Sequence, residues 1–174
     1  MSDQPLWDAI SGRAIPQMRD YAPQGVANIA WACASLADQN RPLLDALASA
    51  ALAKINYCSA GAGSEEPWQP KELVNTAWAF AKLNLLNAPL LQSIAAAVLS
   101  SIADCKPRDL AGLAWASATI KVTDAPLMAA IAAQSMSKIG NFNVQDMSNT
   151  VWSMATLNFK DLPLLEALSS AAMA

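Results

Sequence analysis

Histidine is absent from this 174-residue chain, and cysteine occurs only three times. Zinc sites of the usual Cys/His type and triads that use imidazole are thereby excluded. Cys33, Cys58 and Cys105 share no Cys-x-x-Cys spacing, so they read as small reduced hydrophobes. Charge is also scarce, at 14% of residues with a net of −3, and the totals show no basic surface of the kind phosphate-binding proteins display. A local basic stripe remains compatible with that balance, because net charge says nothing about distribution. No apolar run approaches the roughly 18 residues of a membrane span. The first residues, MSDQPLWDAISGRAIPQ, lack the charged start and apolar run of a secretory signal and are too acidic for a transit peptide.

Sites for chemistry are missing in the same way. GAGSEE, from Gly61 to Glu66, contains Gly-x-Gly but neither a third glycine nor Gly-Lys-Ser, so it reads as a linker. Glu65 and Glu66 lie side by side in that loop, where nothing holds them apart for acid/base work. There is no Gly-x-Ser-x-Gly. We expect no catalytic residue, no metal ligand and no cofactor.

What the chain has is alanine and repetition. It is 54% apolar but only 6% aromatic, and alanine is both the best helix former and small enough for helices to approach closely. ANIAWACASLADQNRPLL from Ala27 is echoed by VNTAWAFAKLNLLNAPLL from Val74, by AGLAWASATIKVTDAPLM from Ala111 and by SNTVWSMATLNFKDLPLL from Ser148. Trp31, Trp78, Trp115 and Trp152 keep one register, and Pro5, Pro42, Pro89, Pro126 and Pro163 keep another. Both columns give a unit of about 37 residues and place one insertion within Asn56 to Gln69.

Each unit reads as two helices. The first begins near Pro23, Pro70, Pro107 or Val144, with proline suited to the first turn. Its apolar face carries Val26, Ala30, Cys33 and Ala34, then Leu73, Ala77, Phe80 and Ala81, then Met147, Val151, Met154 and Ala155. Tyr21, Trp68, Cys105 and Phe142 sit where a hydrophobic staple would pack. The second helix is announced by Asp3, Asn40, Asn87, Asp124 and Asp161, strong N-caps two residues before each proline. Such hairpins bury their apolar faces only when stacked. The expected fold is therefore all-α, an α-solenoid forming one domain over residues 1–174. It divides into a half repeat at 1–20 and repeats at 21–67, 68–104, 105–141 and 142–174. The last copy carries no polar cap, so the chain reads as a piece of a longer array or as one whose ends a partner covers.

The order aromatic-x-Pro-x-x-Leu-x-Asn-x-x-Trp-Ala-x-Ala-x-Leu followed by Pro-Leu-Leu resembles octotricopeptide (OPR-type) repeats of algal and alveolate organelle proteins. The resemblance covers Tyr21 to Ala174, with a unit one residue shorter than usual and without the PPPEW-like signature. It implies a non-catalytic solenoid that binds single-stranded RNA in a chloroplast or mitochondrion, acting in transcript stability, processing or translation. The competing expectation is a protein–protein scaffold or structural subunit of a larger organellar complex, favoured by the acidic charge. Neither a DNA duplex nor a membrane is expected as partner. End-to-end self-association through Leu6 and Trp7, or through Leu164 and Leu165, is a further expectation.

Contact residues can be read from the first helices directly. A stripe of small and polar side chains runs opposite the apolar face, with flanking cations at Lys71 and Arg108. Its candidates are Asn28, Ser35, Asn75, Lys82, Thr119, Asn149, Ser153 and Thr156. Asparagine can read base edges one repeat at a time, or it can bond neighbouring backbone between stacked helices. Glu72, Asp109 and Asp146 head the stripe, where they suit the helix dipole but would repel phosphate. The tryptophan column reads as a buried structural spine between units, with base stacking as the alternative.

Overall fold

The computed structural model describes residues 4–59 and 66–173. The cap expected at Asp3 and the stretch Gly61 to Glu65 lie outside them. All described regular structure is helical, in stacked two-helix repeats of the α-solenoid type. The order is α1 (Gln4–Gln17), α2 (Pro23–Ser35), α3 (Arg41–Ser59), α4 (Pro70–Lys82), α5 (Ala88–Ser101), α6 (Pro107–Thr119), α7 (Ala125–Ser137), α8 (Val144–Thr156) and α9 (Leu162–Ala172). Short 3-10 turns follow α1, α5 and α7. The chain forms two compact units, Met1–Ala97 and Val98–Ala174.

In the first unit α2 lies along α4, and α3 packs on α1 and α2. In the second, α6 lies along α8, while α7 packs on α6 and α9. First helices thus stack on first helices. Alanines at 27, 30, 34, 77, 79, 81, 111, 114, 116 and 118 are buried in them, and such small side chains let backbones approach closely. The second helices supply larger groups, with Leu43, Leu44, Leu47, Leu90, Ile94, Met128, Ile131, Leu164 and Leu168 all buried.

Helix starts follow the cap chemistry. The Oδ1 atoms of Asn40, Asn87, Asp124 and Asp161 accept from the backbone N–H of Leu43, Leu90, Leu127 and Leu164 at 3.0–3.1 Å. Each occupies a donor that the helix cannot satisfy itself. Helix α3 runs on through Ser59, four residues into the insertion, and Ile55 is buried just before that extra turn.

The first helices end in one repeated motif. Ala37, Asn84, Lys121 and Asn158 have φ of 51–55°. The next residue in each case donates its N–H back to the carbonyl of Cys33, Phe80, Ser117 or Met154 at 2.9–3.0 Å. This is a Schellman cap, whose left-handed position glycine normally fills. None of the four is glycine. Lys121→Gly is therefore expected to stabilise the chain by about 1 kcal/mol by removing Cβ strain, read as a higher urea midpoint. An unchanged or lower midpoint would show that the Lys121 side chain makes compensating contacts.

Two expectations about packing need correction. Val151 is 41% exposed and Ala155 is exposed as well, because α8 packs on α6 and α9 and this side of it meets neither. Leu164 is fully buried, so it offers no surface for self-association; the exposed large apolar groups nearby are Leu162 on α9 and Met173 just after it.

Candidate nucleic-acid interface

Each first helix carries one row of exposed or half-buried side chains at matching positions of the repeat. On α2 the row is Gln24, Asn28, Trp31 and Ser35, all exposed. On α4 it is Lys71, Asn75 and Lys82, exposed, with Trp78 half-buried among them. On α6 Arg108 is exposed while Gly112, Trp115 and Thr119 are half-buried. On α8 Gln145, Trp152 and Thr156 are exposed and Asn149 is half-buried. The spacing of 4, 7 and 11 is one helical face.

The tryptophans therefore stand on the same face as the asparagines. Trp31 is 50% exposed and Trp152 is 47% exposed, against the expectation of burial. The reason is angular: a residue one position after the buried Ala30 or Ala77 is turned by about 100° out of the core. In the second unit Trp115 and Trp152 stack with ring centroids 6.5 Å apart and planes at 30°. In the first unit Lys82 Nζ lies 4.7 Å from the Trp78 ring centroid, a cation–π contact.

Ser153 is the candidate that drops out. It is fully buried, and its hydroxyl donates to Asn149 O at 2.6 Å, satisfying it inside the packing. The Thr119 hydroxyl donates to Trp115 O at 2.8 Å, leaving mainly its methyl group to the face. Asn149 Oδ1 accepts from Gln145 Nε2 at 2.8 Å, so its partner is a side chain of its own helix rather than neighbouring backbone. Neither the Asn28 nor the Asn75 amide has a hydrogen-bond partner among the described residues.

The acidic column faces elsewhere. A Glu72 Oε2 atom accepts from Gln69 N–H at 2.8 Å, and Asp109 Oδ2 accepts from Lys106 N–H at 2.9 Å. Asp146 Oδ2 accepts from Asn143 N–H at 3.2 Å, while Asn143 Oδ1 takes Asp146 N–H at 2.9 Å, a reciprocal capping box. These carboxylates close helix starts, and Glu72 and Asp146 are buried in doing so. In α2 the matching position is Gly25, where a Cβ would stand 3.0 Å from Tyr21 Cδ1. The uncovered rows consequently hold Lys71, Lys82 and Arg108 and no acid, in a chain of net −3.

The cysteines lie apart from this face. Burial pushes Cys33 up to about 11 from the ordinary 9.0, with Asp38 adding to the shift. Burial likewise lifts Cys105 to about 11; Asp109 adds to it, while Lys138 opposes it. At pH 8 one fast equivalent of Ellman's reagent is expected, from half-buried Cys58, and two more on unfolding. Three fast equivalents would contradict the packing of α2 and α6. Because the folded-state values are raised, the contribution of these thiols to stability is intact below pH 9 and lost as pH rises towards 11.

Among the described residues no three of Cys, Asp and Glu gather as a metal site, and no helix is long and apolar enough to cross a membrane. Fold and face together define a helical-repeat protein that presents rows of side chains for contact. The family described as RESC6: RNA-editing substrate-binding complex 6 protein matches residues 66–174, and the chain belongs to that family. That family is an RNA-editing-related family of helical proteins. Among curated proteins none matches the chain.

Proposed function

We propose that the protein is a non-catalytic scaffold subunit of an RNA-editing substrate-binding complex. The family match across residues 66–174 carries this reading. The structure agrees with it in kind, since stacked hairpins offer wide surfaces and the uncovered rows hold groups for contact rather than a constellation for bond-making. The family's setting favours an organelle, the mitochondrion before the chloroplast.

Direct binding of single-stranded RNA is a second role of the same subunit, favoured by one observation: the rows beside the tryptophans carry cations and no acid. On that view the octotricopeptide-like columns reflect a shared way of presenting one set of side chains per repeat, with transcript stability, processing or translation as the wider roles.

The test is affinity purification of the tagged chain from organelle extract, with and without ribonuclease. A multi-protein assembly that survives ribonuclease is expected. Recovery of the chain free of protein partners would overturn the scaffold reading.

A further inference from the structure

The α2–α4 face of the first unit joins three chemistries that a packed core has no use for. Trp31 keeps half of its surface in water. Asn28 and Asn75 stand one turn before Trp31 and Trp78, exposed, with donor and acceptor both unused among the described residues. Lys71 is exposed in the first turn of α4, and Lys82 holds its ammonium over the Trp78 ring. Since α2 lies along α4, the two rows run side by side.

We propose that this face binds single-stranded RNA, with a base stacked on Trp31 and the phosphates beside it taken by Lys71 and Lys82. The proposal rests on the reading of the protein as part of an RNA substrate-binding assembly. Its physical basis is the match between three features of the face and three of the ligand. An indole plane half open to solvent suits an unstacked base, and only a single strand offers one. Amides with both donor and acceptor exposed suit the edges of such a base. Cations without a carboxylate among them suit a polyanion, and the capping role of Glu72 removes the acid that would repel it. Lys82 is restrained above Trp78, so less freedom is lost when it meets a phosphate. An acidic peptide would satisfy the cations but leave the open ring and the amides without a matching partner.

The test uses the full chain and a short fluorescein-labelled single-stranded RNA of randomised sequence, titrated by anisotropy over a series of salt concentrations. Trp31→Ala is expected to weaken binding roughly tenfold, and Trp31→Phe to retain most of it. Lys71→Ala with Lys82→Ala should flatten the slope of log K against log salt by about 1.4, the effect of two phosphate contacts on a single strand. The same sequence as a duplex should compete poorly. Circular-dichroism melts establish that each variant is folded. Folded variants that bind RNA like the parent chain, or a parent chain that binds none at low salt, would overturn the proposal. So would a double lysine variant that still binds RNA but drops out of the ribonuclease-treated assembly, since the face would then be a protein interface. The two readings fail separately. RNA binding without any protein assembly sinks the scaffold, and assembly without Trp31-dependent RNA binding sinks this face.

Discussion

Phe80→Ala is expected to cost about 3–5 kcal/mol of stability, the usual penalty for truncating a buried aromatic ring. Phe80 is 3% exposed on α4, in the column that Cys33, Ser117 and Met154 share. One turn before it on α4 stands the buried Ala77, a side chain too short to fill the space that the truncation would leave. The informative control is Trp31→Ala, a larger truncation in the same fold. With half of the indole in water, its loss should cost only about 1–2 kcal/mol. Chemical denaturation of both variants ranks them. If Trp31→Ala proved as damaging as Phe80→Ala, the tryptophan column would be a covered spine and the face closed.

Lys138→Met should cost about 2 kcal/mol, the second-largest effect expected. Lys138 Nζ donates to Ala103 O and to Cys105 O, both at 2.6 Å, and so ties the end of α7 to the turn that precedes α6. The link lies wholly within the second unit. Hydrogen bonds to a charged donor contribute more than neutral ones, and methionine keeps the stem length while removing the donor. The same ammonium lowers the Cys105 pKa. The variant should therefore lose stability and push that thiol further up, a pair of changes that simple loss of packing would not produce. A denaturation midpoint equal to that of the parent chain would mean that water replaces the link at no cost.

Much of this architecture was legible in the residues. The starts at Pro23, Pro70, Pro107 and Val144 and the caps at Asn40, Asn87, Asp124 and Asp161 fall where the sequence places them, because caps and first-turn prolines act through backbone a few residues away. The candidate face was legible in part. Asn28, Asn75 and Lys82 lie on the uncovered row. Ser153 is buried instead, and Trp31 and Trp152 are exposed where the sequence reading has them buried, while Trp78 and Trp115 are half-buried. The Lys138 link escaped altogether, since its carbonyl partners lie 33 and 35 residues earlier and carry no side-chain signal.

Local order is what the amino-acid sequence determined by itself: a repeat of about 37 residues, its helices, their caps and the all-α class. Those follow from hydrogen bonds and periodicity within one or two turns. Only the packing of α2 along α4 and of α6 along α8 decided which side of each first helix stays open. A residue one step from an apolar stripe can face core or solvent, and about 100° of helix rotation separates the two. That choice depends on where neighbouring helices come to rest. It put Glu72 and Asp146 into buried caps and left Trp31 in water.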